Sequence, residues 1–211
     1  MTLPHSSAML APMAESEDGK RRGKRVKAVT AKSLENAAVH YLQRFSASSA
    51  NLRRVLQRRI ERALRADAKV APDAENAIET IIAKLKRLKL LDDAAYAAGK
   101  ATSLRRRGSS RRIIGGKLKL AGIDAGSIDT AIETADAELK PLMEAADEGP
   151  DAELRAALRL AQRRRLGPYR AEKERAERRQ RDLASLARAG FSFDIARKVI
   201  DAADPESLTG D

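Results

Sequence analysis

The sequence predicts an all-α protein built from three tandem units of three helices each. Alanine, leucine and arginine dominate its 211 residues and aromatic residues make up only 3%, a mixture that favours helices over strands. Apolar residues recur at helical spacing through most of the chain. The same order of helices, caps and breaks occurs three times at uneven spacing, which is typical of a degenerate helical repeat.

The charge of the chain indicates a polyanionic partner. Its 42 Lys and Arg residues exceed its 30 Asp and Glu residues, so the net charge is +12 and the pI is near 10.2. Nucleic acid, a nucleoprotein or an anionic membrane would suit such a chain, although the scarcity of aromatic residues disfavours a base-stacking platform. Cysteine is absent, which excludes disulfides and thiolate metal sites.

Targeting signals are missing from the sequence. No apolar run approaches the roughly 18 residues that a membrane span requires, and residues 1–20 contain no hydrophobic signal core. We therefore expect a soluble, cytoplasmic protein without a membrane partner. We also expect a monomer.

The amino-terminal segment and the first unit differ sharply in pattern. Residues 1–32 have no apolar periodicity and include GKRRGKRVK, so we expect a disordered basic arm that either contacts phosphates or keeps the protein soluble. The first unit is predicted at 33–91. Ser33 is the predicted N-cap of its first helix, SASS at 46–49 precedes its second and Pro72-Asp73 its third. The third helix has an apolar stripe formed by Ile78, Ile81, Ile82, Leu85 and Leu88.

The second unit, predicted at 92–143, repeats the pattern of the first. Residues 42–56 can be laid over residues 104–118 without a gap, so that Ser48 falls on Ser110 and Leu56 on Leu118. In the third helices, the isoleucine pair at 78 and 82 matches the pair at 128 and 132.

The third unit follows a linker. We predict an acidic linker at 144–153, the unit itself at 154–203 and a flexible tail at 204–211. LARAGF at 186–191 parallels LKLAGI at 118–123. Each unit has only about a dozen aliphatic residues, each worth roughly 1.5 to 3 kcal/mol when buried, so we expect the units to stack into an elongated, curved molecule.

An acidic pair separates the first two units and admits two interpretations. Asp92 and Asp93 could form a metal or acid/base site, but neighbouring helical positions point about 100° apart and no third ligand is near in sequence. Alternatively, one aspartate caps the next helix and complements its dipole. We favour the cap. The predicted structural junction consists of Leu90, Leu91, Asp92, Asp93 and Tyr96.

The arginines are the candidate binding residues. Any one of them could simply be a solvated helix residue, but basic clusters recur at similar places in the units. The candidates for partner or phosphate binding are Arg53, Arg54 and Arg58, then Arg105, Arg106, Arg107, Arg111 and Arg112, then Arg163, Arg164, Arg165, Arg178 and Arg179. The middle cluster spans a helix end and the next helix start, where guanidinium groups can bind phosphates or carboxylates bidentately.

Catalytic and cofactor sites are not predicted. The two histidines, His5 and His40, are isolated and cannot form a usual zinc site without cysteine. The chain has no phosphate-binding G-x-x-x-x-G-K-[ST] motif, and Ser109 and Ser110 have no base near in sequence. We expect no enzyme activity and no cofactor.

Four motifs, taken in order, resemble a known family. They are AAVHYLQRF (37–45), NLRRVL (51–56), LLDDAAYA (90–97) and AGFSFDIARKVI (189–200). Over residues 33–201 the chain resembles the RecX regulatory proteins, modulators of the bacterial recombinase RecA. The chain departs from the family at Ile60, where a glycine often closes the second helix, and in the additional LGPYRAEKE of the third unit.

This resemblance implies a function that composition and periodicity do not show. It implies a tandem three-helix fold that lies along the groove of the RecA filament on DNA. There it would limit ATP hydrolysis, strand exchange and co-protease activity in DNA repair, recombination and the SOS response. The alternative is a general helical DNA- or RNA-binding protein or transcription regulator without a recombinase partner. Its recognition helix would lie in SSRRIIGGKLKLAG, which Gly115 and Gly116 weaken.

Overall fold

A computed structural model describes residues 28–140 and 151–208. Over these residues the chain forms nine α-helices, two short 3₁₀ helices and no β-strand, so the all-α prediction is confirmed. The α-helices are α1 (Ala31–Leu42), α2 (Ser49–Arg65), α3 (Ala74–Arg87), α4 (Asp93–Arg106), α5 (Arg111–Leu120), α6 (Ala125–Leu139), α7 (Ala152–Arg164), α8 (Glu172–Arg188) and α9 (Phe193–Ile200). The 3₁₀ helices are Gly167–Tyr169 and Glu206–Leu208.

The helices form three groups, each with its own buried aliphatic cluster. The clusters belong to α1–α3, α4–α6 and α7–α9, which we call the first, second and third helix groups. Leu56 of α2 and Leu118 of α5, which the overlay places on each other, are both 0% exposed, and so is Leu186 of α8. The sequence overlay therefore aligned two residues, Leu56 and Leu118, that are both fully buried.

The start of α1 differs from the prediction. Thr30, not Ser33, is the N-cap, and α1 begins at Ala31. The Thr30 hydroxyl accepts a hydrogen bond from the Ser33 amide at 3.2 Å, and the Ser33 hydroxyl accepts one from the Thr30 amide at 2.9 Å. Ser33 is thus the third helical residue of a reciprocal capping box, a pairing that a single-residue search for N-caps overlooks.

The predicted bounds of two flexible segments include residues that are folded. In the predicted arm, Val29 is 2% exposed, donates to the Lys69 carbonyl and accepts from the Ala71 amide, both at 2.9 Å. In the predicted tail, Leu208 belongs to a 3₁₀ helix and packs against the third core. The basic run at 19–27 and most of the predicted linker, at 144–150, lie outside the described residues.

The apolar stripe of α3 ends earlier than predicted. Ile78, Ile82 and Leu85 are buried, but Leu88 is 53% exposed. Because α3 ends at Arg87 and Lys89 has a φ of 55°, the chain turns away before Leu88 can continue the stripe. Leu91 is buried in place of Leu88.

Asp92 and Asp93 connect the first and second helix groups. Asp92 is the N-cap of α4 and accepts from the Ala95 amide at 2.9 Å, as the cap interpretation predicts. Asp93 points back to the first group, where it accepts from the Ser49 amide at 2.7 Å, from the Ser49 hydroxyl at 2.8 Å and from Lys86 Nζ at 2.8 Å. Because the two carboxylates serve different helices, they do not converge on a metal.

Ser48 completes this connection, which we call joint 1. Its hydroxyl caps α2 by accepting from the Asn51 amide, and it donates to the Ala121 carbonyl at the end of α5 at 2.5 Å. One buried serine therefore provides a hydrogen-bond partner for a free amide at a helix start in the first group and for a carbonyl at a helix end in the second. Gly122, with a φ of 77°, follows that helix end and lies against Ala50.

The same arrangement, joint 2, connects the second and third helix groups. The Ser110 hydroxyl caps α5 and donates to the Ala189 carbonyl at 2.6 Å, and Gly190, with a φ of 86°, lies against Ser110. Glu153 in the first turn of α7 accepts from the Arg111 amide at 3.1 and 3.2 Å, as Asp93 does from Ser49 in joint 1. The overlay of Ser48 on Ser110 thus marks a repeated contact between groups.

The charge of Asp93 should make joint 1 sensitive to acid. Burial raises its pKa, but hydrogen bonds from Lys86 and Ser49 outweigh burial and hold the pKa below its usual 3.8. A lowered folded-state pKa stabilises the protein above the unfolded pKa, and this stabilisation is lost as the pH falls through the folded pKa. We expect Asp93→Asn to lower the free energy of unfolding by about 1 kcal/mol at neutral pH.

Urea unfolding of the parent and Asp93→Asn at several pH values tests this expectation. The difference between them should shrink as the pH falls below about 4. Asp92→Asn is the matched control, because asparagine is an equally good N-cap and should change stability by only a few tenths of a kcal/mol, roughly. A difference that stayed constant into acid would show that the charge of Asp93 is not the source.

Candidate polyanion-binding surface

Arg105 is buried between three helices. Its side chain is 2% exposed, and its guanidinium donates twice to Asp136 of α6, at 2.6 and 3.1 Å, and once to Glu153 of α7, at 2.7 Å. It also donates to the Ser109 carbonyl at 3.0 Å. Burial lowers its pKa, but the bonds to Asp136 and Glu153 outweigh burial and raise it overall. Arg105 is therefore fully engaged within the fold, and we remove it from the candidate binding residues.

Two predicted binding residues on α2 also have partners within the fold. Arg53 forms a bidentate ion pair with Glu79 of α3 at 2.5 and 2.7 Å, and this bond raises the pKa of Arg53. Arg54 donates to the Leu120 carbonyl of α5 at 2.6 Å, across joint 1. Both remain partly accessible, but a ligand would have to compete with these contacts.

The third helix group uses arginines in a similar way. Arg179 forms a bidentate pair with Asp201, with both distances 2.7 Å, and Arg178 lies 3.6 Å from Glu177. Arg164 at the end of α7 donates to the Ser185 hydroxyl of α8 at 3.0 Å. The Arg164 contact joins the end of α7 to the last turn of α8, and the Arg179 pair joins the middle of α8 to the end of α9.

The segment that departs from the family pattern is anchored by a buried carboxylate. Asp182 is 3% exposed and accepts from the Gly167 amide at 3.0 Å and from Arg170 at 3.0 and 3.2 Å. Arg175 adds hydrogen bonds to the carbonyls of Pro168, at 2.8 Å, and Arg170, at 3.1 Å. The sequence analysis marked LGPYRAEKE as a departure but singled out neither Asp182 nor Arg175, because their partners lie elsewhere in the chain.

The remaining candidates are exposed. Arg111 lies 3.3 Å from Asp129 and 3.7 Å from Glu133, and Arg107 donates to Ser103 on its own helix at 3.1 and 3.2 Å. Within residues 28–140 and 151–208, the exposed candidates with neither an ion pair nor a hydrogen bond to another helix are Arg58, Arg106, Arg107, Arg112, Arg163 and Arg165. They are distributed over all three helix groups, and these six can bind an external anion without breaking an internal pair.

A groove between α1 and α2 brings Arg58 together with basic and aromatic residues outside the candidate list. It has a volume of about 700 Å³. Its lining includes His40, Tyr41, Arg44, Phe45, Arg58, Arg59 and Arg62. The spacing of four residues from His40 to Arg44 and from Arg58 to Arg62 is the signal that could have indicated it, because such residues share a helix face.

Other kinds of site find no support in the part of the chain that the structure describes. No group of three His, Cys, Asp or Glu side chains there could hold a metal ion. The helices of that part are also too short or too polar to cross a membrane. Exposed positive charge is the chemical feature that stands out.

Comparison with known proteins identifies the family. The chain is 44% identical to the regulatory protein RecX of Myxococcus xanthus (strain DK1622) over 185 residues, which cover 87% of this chain and 92% of that protein. The chain belongs to the RecX family. A RecX regulatory protein of Agrobacterium fabrum (strain C58) is 35% identical over 113 residues, covering 54% of this chain and 53% of the relative. No family model matches the chain.

A solved structure shows the same fold. A crystal structure of a regulatory protein RecX matches with a TM-score of 0.52 at 21% identity, covering 82% of this chain and 72% of the other. RecX membership confirms the resemblance carried by the four sequence motifs.

Proposed function

We propose that this RecX-family protein regulates the RecA recombinase by binding along the groove of the RecA–DNA filament. Binding there limits ATP hydrolysis, strand exchange and co-protease activity in DNA repair and the SOS response. The protein acts without catalysis or a cofactor, in the cytoplasm and as a monomer. The observation that carries the proposal is the 44% identity to a regulatory protein RecX over 87% of the chain.

The distribution of exposed arginines supports a long binding surface. Arg58 lies in the first helix group, Arg106 and Arg112 in the second, and Arg163 and Arg165 in the third. Helix groups joined end to end can place such residues along the groove of a filament, where both phosphates and protein carboxylates are available. Contacts with phosphates would make the affinity fall as salt rises.

RecA-dependent ATP hydrolysis on single-stranded DNA tests the proposal directly. Addition of the protein at amounts stoichiometric with RecA should slow hydrolysis, because the occupied groove restricts the filament. An unchanged rate at these amounts would refute the proposal. Co-sedimentation with the filament in preference to naked single-stranded DNA should accompany the inhibition. Equal binding of both at physiological salt would favour a general nucleic-acid-binding protein.

Charge reversal in the second helix group tests the arginine surface. We expect Arg106→Glu with Arg107→Glu to raise the protein concentration needed for half-maximal inhibition about tenfold or more, since two attractive contacts become repulsive. Arg105 stays unchanged, because its replacement would unfold the region. Arg87→Glu with Lys100→Glu is the matched control, with the same change in net charge at exposed positions outside the candidate set. Equal inhibition by the Arg106/Arg107 variant and the parent would remove these two residues from the site.

A further inference from the structure

The groove between α1 and α2 combines unpaired arginines on its rims with the exposed ring of Phe45, and the fold requires neither feature. We propose that it is a binding site for single-stranded nucleic acid, which places one base against Phe45 and its phosphates against the arginines of the two rims. The proposal deepens the DNA contact of the proposed function by giving it a location and a strand preference. Its test contains no recombinase, so the two can fail separately.

The rims of the groove are positive and uncompensated. Arg44 lies one turn beyond His40, just after the end of α1, and Arg62 lies one turn beyond Arg58 on α2. One turn separates such residues by about 6 Å, a distance that successive phosphates can span. The lining of the groove contains no aspartate or glutamate. The acidic residues on these helices have partners, since Glu35 pairs with Lys84 at 2.6 Å and Glu61 with Arg65 at 3.3 Å.

The floor of the groove is apolar and ends at an exposed aromatic ring. Ala37, Tyr41 and Leu56 form part of the lining, and Tyr41 also packs against the first core. Phe45 follows the end of α1, is 51% exposed and is not part of that core. Its ring centroid lies 5.1 Å from that of Tyr41 at an interplanar angle of 37°, and the Arg44 Cζ atom lies 5.8 Å from it.

A half-exposed phenylalanine among guanidinium groups fits a ligand that has both a flat ring and a negative charge. Each nucleotide of a single strand offers a base for stacking and a phosphate for the rims, which is how strand-binding proteins combine aromatic and basic residues. A duplex satisfies the rims alone, because its bases are stacked on one another. An acidic peptide supplies charge but no ring, so it leaves Phe45 uncovered.

Fluorescence anisotropy with a labelled oligothymidylate and a labelled duplex of the same length separates these ligands. Phe45→Leu keeps an apolar side chain but removes the ring, and should weaken oligothymidylate binding about tenfold without changing the dependence on salt or the affinity for the duplex. Arg58→Gln with Arg62→Gln should reduce the log–log salt slope for the single strand by about 1.4, since each lost phosphate contact removes about 0.7. Arg87→Gln with Lys100→Gln, which removes the same charge outside the groove, should leave the slope unchanged.

Several results would overturn the site. Phe45→Leu binding the oligothymidylate as tightly as the parent would leave only a charged surface, and an equal loss on the duplex would remove the strand preference. A polyglutamate peptide that displaces the oligothymidylate, and whose own binding is weakened by Phe45→Leu, would assign the groove to an acidic peptide. Circular dichroism of each variant must show parental helicity, which the exposure of Phe45, Arg58 and Arg62 leads us to expect.

Discussion

Arg105→Met is expected to lower the free energy of unfolding by about 3 to 5 kcal/mol, because removal of one partner leaves buried charges uncompensated. Methionine fills much of the space of the arginine but leaves Asp136 and Glu153, whose side chains are 18% and 20% exposed, facing a buried site without a cation. The contacts between α4, α6 and α7 would loosen first. Urea unfolding followed by circular dichroism measures the loss.

Two further variants separate charge from packing at this site. Arg105→Lys keeps a positive charge but cannot donate to Asp136, Glu153 and the Ser109 carbonyl in the same planar arrangement, so it should lose less stability than methionine does. Arg105→Met combined with Asp136→Asn and Glu153→Gln removes the uncompensated charge and should recover much of the loss. A methionine variant as stable as the parent would return Arg105 to the candidate binding residues.

Gly122→Ala is expected to destabilise the protein by about 3 kcal/mol, from two sources. The residue has a φ of 77°, which costs an L-amino acid with a Cβ atom about 1 kcal/mol or more. The added Cβ would also collide with the side chain of Ala50 in the first turn of α2. That turn cannot move freely, because Ser48 and Asp93 hold it in joint 1.

A companion substitution distinguishes the collision from the backbone strain. Ala50→Gly in the Gly122→Ala background should restore the part of the stability lost to the collision and leave the part due to φ. Gly99→Ala is the opposite control. Gly99 lies in α4, and apart from its own helix backbone no atom lies within 4 Å of the position that a Cβ would take. Alanine there should stabilise the helix by about 0.5 to 1 kcal/mol. Ala50→Gly alone, which should cost α2 about 0.5 to 1 kcal/mol, is the reference, and an equal loss in the parent and in the Gly122→Ala background would show that the close contact at joint 1 is unimportant.

Local signals in the sequence predicted much of the fold. Ser48 and Ser110 were identified as equivalent residues at breaks before a helix, where serine is a favoured cap. One aspartate of the pair at 92 and 93 was predicted as a cap, and Asp92 is that residue. The isoleucine pairs of α3 and α6 are buried as predicted, since a stripe repeated at helical spacing must face a core.

Contacts between residues far apart in sequence determine the features that sequence patterns did not predict. Arg105 resembles its exposed neighbours Arg106 and Arg107 in every local respect. Its burial depends on carboxylates 31 and 48 residues away, which no local pattern reveals. The aromatic and basic groove was missed for a similar reason, because Phe45 and Arg58 become neighbours only when α1 packs against α2.

The two joints give the array of helix groups a direction and a defined length. Each joint uses a serine that caps the second helix of one group and a glycine that follows the second helix of the next group. The outer helix groups lack one partner each. In the first group, Asp67 follows α2 in the place that Gly122 has after α5. In the third group, Ala171 precedes α8 in the place of a capping serine and forms no side-chain cap. Repeated head-to-tail contacts that never close produce fibres. The ends of this array lack the groups for such growth, and a designed fourth group would need Ala171→Ser to continue it beyond α9, or Asp67→Gly to precede α1.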